Sequence, residues 1–421
     1  MNSKVVVVGQ GYVGLPVAVR AARAGHTVIG YDVDVERIRR LGKGESYVED
    51  IQDAELAELL QVGTYLPTTD PFDLDGFDIA VITVPTPLRE GAPDLSYIES
   101  AAETLAARLR PGATVVLEST TYPGTTVELL VPLLEKGSGL SAGADFHVGY
   151  SPERIDPGNP TWRLENTPKV VSGIDPASLE AVQAFYATLT GTTVPVRTTE
   201  VAELSKLIEN TFRHVNIALV NEMAMYAHEL GVDVWEALDA AASKPFGFMR
   251  FTPGPGVGGH CLPVDPEYLS WRVRRTLGRS FQFVELANHI NGHMPDHVVQ
   301  RLLLAFNSRR RALAGSTVLL LGLAYKPNTG DVRESPALRV AELLLEMGAN
   351  VRATDPYVVE AVTVDSKLVR CDFTKEELAA ADAVVLLTDH DDFDYELVRD
   401  QARFVLDCRH RLETGATVEV L

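Results

Sequence analysis

Three observations in the sequence predict an α/β fold of two Rossmann-like, doubly wound parallel-sheet domains joined by a central helical region with one long helix. Short β-branched runs alternate with helical spacing in the first third of the chain, the pattern of βαβ units and so of a parallel sheet. The last third repeats the logic, with Gly25 preceding Asp32 by the interval at which Gly348 precedes Asp355. Between them, from about Glu200 to Leu230, apolar positions recur at helical spacing without a break.

The elements follow in order. Lys4–Val8 is a β-branched strand stopped by Gly9, and Leu15–Ala24 is a helix ended by Gly25. Thr27–Tyr31 is the next strand, followed by Asp32, and Ile79–Val84 is another, stopped by Pro85-Thr86-Pro87. Thr114–Leu117 leads into Glu118-Ser119-Thr120. The central helix ends at Gly231, and a Gly/Pro-rich stretch, Phe251 to Pro266, then interrupts the helical pattern. Phe281–Phe306 is helical again, with Pro295 as the expected break. Thr317–Leu321, Val351–Thr354 and Ala383–Leu387 are strands of the second sheet, with the helix Pro336–Met347 between the first two. The expected domains are a Rossmann-like segment 1–198, a central helical segment 199–306 and a second Rossmann-like segment 307–421.

Composition narrows the functions. A chain of 421 residues exceeds one ordinary core. Its formal charge of -20 argues against nucleic acid or an anionic membrane as partner. An anionic substrate must therefore be held by a few local cations and backbone N–H groups. Cys261, Cys371 and Cys408 form no Cys-x-x-Cys pair, so neither a disulfide framework nor a metal site is expected. No signal-peptide pattern and no bilayer-long apolar run are read, and a cytoplasmic enzyme is expected.

Gly9-Gln10-Gly11-Tyr12-Val13-Gly14 follows a strand and opens a helix, with an acid after the next strand. In that setting the motif marks a dinucleotide site. Gly9 permits the turn, Gly11 lets the backbone approach the pyrophosphate, and Gly14 allows close helix–strand packing. The helix N-terminus, with Tyr12 and Val13, offers N–H groups to phosphate. Asp32 accepts from ribose hydroxyls and repels a 2′-phosphate, so NAD is the expected cofactor. Thr83, Thr86 and Thr120 follow the ends of later strands, where open α/β sheets bind ligands. The second domain's loop, Gly322-Leu323-Ala324-Tyr325-Lys326-Pro327, lacks the glycine triplet and is expected to bind something else.

The densest glycine segment, Gly254-Pro255-Gly256-Val257-Gly258-Gly259-His260-Cys261, exposes backbone N–H groups and ends on a cysteine poorly suited to filling a core. With Val84-Pro85-Thr86-Pro87, Glu118-Ser119-Thr120, Ser151-Pro152-Glu153-Arg154, the run Glu203 to Asn210, and Lys326 to Ser335, the chain resembles the UDP-glucose/UDP-N-acetylhexosamine 6-dehydrogenase family over nearly its whole length. The resemblance implies a four-electron oxidation of a sugar C6 alcohol to a carboxylate, with NAD and a covalent intermediate on Cys261. It implies that Lys206 and Asn210 stabilise oxygen at C6, that Asp265 is the carboxylate near the cysteine, that Thr120 positions a water and that Glu153 assists thioester hydrolysis. It further implies cofactor contacts at Arg37 and substrate contacts at Glu153, Arg154, Lys206, Asn210, Phe251, Gly254, Gly258, Lys326 and Arg333, in a homodimer. One departure stands out: Pro157, within Asp156-Pro157-Gly158-Asn159-Pro160, holds the place of a second Glu found in the UDP-glucose enzymes. The Phe-x-Pro-Gly-Pro-Gly loop is similar to that of the UDP-N-acetylglucosamine/N-acetylmannosamine branch; UDP-glucose and dTDP-glucose stand as alternatives.

Overall fold

The computed structural model describes residues 2–48, 50–155, 159, 161–259, 261–358 and 367–421, and of Cys261 the backbone alone. The chain divides into two compact units, Met1–Glu209 with Glu267–Arg279, and Asn210–Pro266 with Ser280–Leu421. The long helix Thr199–Leu230 begins in the first unit and ends in the second.

The first unit is built on an eight-stranded sheet. Its strands are β1 (Lys4–Val8), β2 (Thr27–Tyr31), β3 (Tyr65–Thr68), β4 (Ile79–Ile82), β7 (Thr114–Leu117), β8 (His147–Tyr150), β9 (Lys169–Gly173) and β10 (Thr193–Pro195). A separate two-residue hairpin supplies β5 (Leu88–Arg89) and β6 (Ala92–Pro93). The order is β10-β9-β8-β7-β4-β1-β2-β3, and neighbours are parallel except β8 and β9. Strand β1 is central and apolar on both faces. Val5 and Val7 pack with Leu15 and Ala18 of the helix Gly14–Arg23, and Val6 and Val8 with Ile98 and Leu105 of the helix Ser96–Ala106. Burial on both faces is why this strand reads as an unbroken β-branched run.

The second unit carries an all-parallel sheet of β11 (Thr317–Leu321), β12 (Asn350–Thr354), β13 (Val369–Arg370), β14 (Ala383–Leu386), β15 (Val405–Asp407) and β16 (Val418–Val420), in the order β13-β12-β11-β14-β15-β16. Its larger core joins Val318 and Leu320 to Val340 and Leu344 of the helix Pro336–Glu346, and to Val298 and Leu302 of the helix Gln282–Ser308.

Two expectations need correction. The Gly/Pro-rich stretch does not run to Pro266, because a helix opens at Cys261 and continues to Leu277 with Pro266 inside it. A proline in the first turn, such as Pro263, has no intrahelical bond to lose, and Pro266 removes one. Nor does Pro295 break its helix, which runs unbroken from Gln282 to Ser308. Pro295 is itself buried, with Met294 and Val298 in the same core, and packing outweighs the missing hydrogen bond. Among the described residues no helix is long and apolar enough to cross a membrane.

Candidate active site

The glycine loop after β1 has the geometry that each of its glycines demands. Gly9 sits at φ +91°, and a Cβ there would lie 2.9 Å from the Thr83 carbonyl oxygen. A Cβ on Gly14 would lie 1.8 Å from the Gly9 carbonyl oxygen, so the helix enters in direct contact with the turn. A Cβ on Gly11 would meet nothing within 4 Å. That open face is where a pyrophosphate can reach the backbone, and the residues present fit a dinucleotide.

Asp32 and Thr83 are spent largely on the loop. The buried Asp32 carboxylate accepts from the Gln10 N–H (2.7 Å), the Asp34 N–H (2.9 Å) and Arg37 Nη1 (2.8 Å). The Thr83 hydroxyl donates to the carbonyls of Val8 (2.9 Å) and Gly9 (2.8 Å). Arg37 also lies over the Tyr47 ring, 5.6 Å from its centroid. Thr86 is buried after β4, and Tyr12 and Val13 enter the helix at Gly14.

On the far side of the same sheet, Thr120 and Glu153 follow the ends of β7 and β8. Glu153 is buried, and its Oε1 accepts from the Arg154 N–H (2.7 Å) and the Ile155 N–H. Its Oε2 accepts from Lys169 at 3.1 Å. Burial pushes this carboxyl up, but the Lys169 ammonium, hydrogen bonds from Glu118 and the Ile155 N–H, and the charge of Lys206 together hold it well below the usual carboxylate range. Lys206 is only 8% exposed and has no hydrogen-bond or ion-pair partner among the described residues. A buried ammonium in that state is poised for a ligand oxygen. One turn earlier, Glu203 accepts from the Gly124 N–H (2.6 Å), the Thr126 N–H (2.9 Å) and the Thr126 hydroxyl (2.7 Å). It ties the Thr120 loop to the helix of Lys206, and burial pushes its carboxyl up to about 7. The Arg154 guanidinium is engaged by Glu209 and by the Pro168 carbonyl (2.6 Å).

In the second unit the glycine-rich loop docks on the segment after β11. Gly259 N–H donates to the Arg333 carbonyl at 2.9 Å. A Cβ on Gly258 would lie 2.7 Å from the Glu334 carbonyl oxygen, and one on Gly259 would lie 2.8 Å from the Tyr325 ring. Gly254 N–H donates to Asn221 Oδ1 (2.9 Å), and Asn221 is itself held by Asn291 (2.9 Å). Phe251 packs edge-on against Phe212. Asn210 donates to the buried Asp265. Lys326 is half-buried, and the exposed Arg333 pairs with Asp331, Nη2 to Oδ2, at 2.7 Å. The cysteine side chain, His260 and most of Asp156–Pro160 lie outside the described residues.

Three family models match in succession: the NAD-binding domain of the UDP-glucose/GDP-mannose dehydrogenase family at residues 3–190, its central domain at 200–293 and its UDP-binding domain at 319–414. The chain belongs to the UDP-glucose/GDP-mannose dehydrogenase family. It is 38% identical to the UDP-N-acetyl-D-mannosamine dehydrogenase of Pyrococcus horikoshii, over 93% of this chain and 90% of that one. It is 40% identical to the UDP-N-acetyl-D-glucosamine 6-dehydrogenase of Pseudomonas aeruginosa, over 84% and 83% of the two chains. The solved UDP-glucose dehydrogenase of Pyrobaculum islandicum superposes with a TM-score of 0.90 at 29% identity, covering 100% of this chain and 97% of that one. The chain is thus an NAD-dependent nucleotide-sugar dehydrogenase. In this dehydrogenase several polar groups about the site escaped the sequence reading. Lys169 and Tyr186 back Glu118, Asn221 fixes the cysteine loop, and Arg409 sets its guanidinium against Gly254, where a Cβ would lie 2.8 Å from Nη1. Lys169 is the one ionisable residue of the strand Lys169–Gly173, and that is the signal that could have found it.

Proposed function

We propose that this dehydrogenase oxidises the C6 alcohol of a UDP-N-acetylhexosamine to the carboxylate through a thioester on Cys261. It acts as a cytoplasmic homodimer, with 1–198 as cofactor segment, 199–306 as central and dimerising segment, and 307–421 as nucleotide-sugar segment. The observation that carries the chemistry is the buried Lys206 ammonium, without a hydrogen-bond or ion-pair partner among the described residues, one helical turn from Asn210. Such a pair suits oxygen that gains negative charge during reaction. The substrate class rests on the Phe251-to-Gly256 loop and on the two relatives whose names carry N-acetylhexosamines.

NAD, when bound, supplies the acceptor for the two electron pairs lost between alcohol and acid. The Gly11 face, Asp32 and Arg37 would hold it. Cys261 adds through sulfur to the C6 aldehyde, forming a C–S bond while the aldehyde oxygen takes a proton. After the second oxidation the carbon is a thioester. Water adds to it, the C–S bond breaks, and sulfur leaves as thiolate, with Glu153 and Thr120 orienting that water. Lys206 and Asn210 stabilise oxyanion character at C6, and Asp265 restrains Asn210. Lys326 and Arg333 supply cations to the substrate pyrophosphate in an otherwise acidic chain.

The test is NADH yield against a panel of UDP-N-acetylglucosamine, UDP-N-acetylmannosamine, UDP-glucose and dTDP-glucose. Two NADH per molecule of a UDP-N-acetylhexosamine are expected. One NADH per sugar would overturn the thioester route, and a higher kcat/KM for UDP-glucose would overturn the substrate class.

A further inference from the structure

The chemistry above makes no use of Lys169, although it is the most buried cation near the reaction residues, at 2% exposure. Strand β9 runs antiparallel to β8, with Gly149 opposite Gly173 and Tyr150 opposite Ser172. Extending that register sets position 169 opposite position 153, at the carboxyl end of the sheet. The Lys169 ammonium contacts Glu118 and Glu153 together. The Tyr186 hydroxyl donates to the other Glu118 oxygen at 2.8 Å. Both oxygens of each carboxyl are therefore engaged, Glu153 by three donors.

Such a cluster is a poor device for stability alone. Burying three ionisable groups costs desolvation that well-packed apolar side chains avoid. One ammonium does not neutralise two carboxylates, so a proton stays with the pair. Glu153, with backbone N–H donors as well as the ammonium, is the ionised member, and burial pushes the Glu118 carboxyl up. Glu118 lies two residues before Thr120, and the Lys206 charge acts on Glu153. The cluster thus sits directly behind the residues assigned to hydrolysis.

We propose that Lys169 is a positioning residue for thioester hydrolysis: clamped against Glu118, it holds the Glu153 carboxylate ionised and in one orientation. This rests on the reading of Cys261 and Glu153 given above. In Lys169→Met, the single-turnover rate of the first oxidation and the Kd of both ligands should stay within about threefold of the parent. Steady-state acid formation should fall by about 100-fold, the scale of a lost acid–base group. A sugar-sized adduct should then build up on the protein, read by intact mass, and Lys169→Arg should restore most of the hydrolysis.

Glu153→Gln is run in parallel. An adduct in Glu153→Gln with normal turnover in Lys169→Met overturns the present proposal and leaves the reading of Glu153 standing. Normal hydrolysis in Glu153→Gln overturns that reading instead, and the proposal with it. Where Lys169→Met does not fold, the double variant Lys169→Met/Glu118→Met replaces the buried charges by apolar groups. It should fold and stall at the thioester, and normal turnover in it likewise overturns the proposal.

Discussion

At the scale of single residues, two glycines three positions apart make opposite demands. Gly14→Ala drives a Cβ into the Gly9 carbonyl oxygen, a backbone atom 1.8 Å away. It should lose about 3 kcal/mol or more of stability, read as a lower Tm, because neither helix nor turn can yield without the other. Gly11→Ala places its methyl in open space. Its Tm should stay within about 2 °C of the parent, as for a surface change, while KM for NAD rises by about tenfold or more because backbone approach is blocked. A lowered Tm for Gly11→Ala would refute the assignment of that face. Asp32 predicts that NAD outperforms NADP by about 100-fold in kcat/KM, since a 2′-phosphate set against a buried carboxylate meets like-charge repulsion of several kcal/mol. Comparable kcat/KM values would show that Arg37 accepts the phosphate. The motif made the glycines legible, because turn and helix lie within six residues of chain. Lys169 and Glu203 were not legible in the same way. Their partners stand 51 and 77 to 79 positions away, and only the sheet register and the start of the long helix bring them together.

Among elements, strands bounded by glycine and an acid were readable, while β3, β8, β9 and β10 were not. Tyr65–Thr68 contains a proline, and His147–Tyr150 is four residues long with a glycine inside. Length and composition that weak give no periodic signal. The two expected helix interruptions failed for a related reason: tertiary burial decided the outcome at Pro295, and local propensity did not. On the long helix, Phe212, Leu219, Met223, Tyr226 and Leu230 are all exposed, at the three-, four- and seven-residue spacing of one face. The homodimer proposed above would cover that face with a second copy of the chain. Sedimentation should give a dimer at micromolar concentration, and Met223→Glu should shift it toward monomer. A monomeric, fully active parent would exclude this arrangement. Asp355, after β12, offers a pH prediction. Its carboxylate accepts from the N–H groups of Leu323 (2.7 Å) and Ala324 (2.9 Å) and from His390 (3.0 Å). Against the cost of burial, those donors pull it from 3.8 down to about 2. A carboxyl depressed in the folded state stabilises above its unfolded value and loses that contribution as pH falls toward 2, here about 2 kcal/mol. Asp355→Asn should therefore lower Tm at neutral pH, with a deficit that narrows between pH 4 and 2. A constant deficit would mean that the charge plays no part.

For the molecule as a whole, the two Rossmann-like sheets use one plan for two purposes. Gly9 and Gly322 share a positive φ, +91° and +86°, and each would collide with the threonine that follows the strand beside it, Thr83 or Thr388. The acids that follow the second strands differ in what remains open to them. Asp32 is held by one loop N–H, the Asp34 N–H and an arginine, whereas Asp355 is saturated by four backbone N–H groups and a buried histidine. The repeat of glycine and acid was visible in sequence, and so was the loss of the glycine triplet; the saturation of Asp355 was not, because it depends on His390 reaching back across 35 positions. The covalent route makes a prediction for the assembled enzyme. Cys261→Ser should retain both ligands and lose acid formation by orders of magnitude, as hydroxyl replaces thiolate. Near-normal acid yield would mean that the second oxidation proceeds without a thioester, through the aldehyde hydrate.

The docking of the cysteine loop has a pharmacological consequence. Gly258 and Gly259 rest on Tyr325, the Arg333 carbonyl and the Glu334 carbonyl without a side chain of their own. The loop that leads to Cys261 is thereby fastened to the segment that carries Lys326. A small molecule wedged between Tyr325 and Gly259 would prise that fastening open, and it would need to resemble neither NAD nor a sugar nucleotide. It would oppose binding of the sugar nucleotide, since Gly258 and Lys326 are assigned to the substrate, and a bulkier residue at Gly259 would confer resistance only by damaging the enzyme it protects.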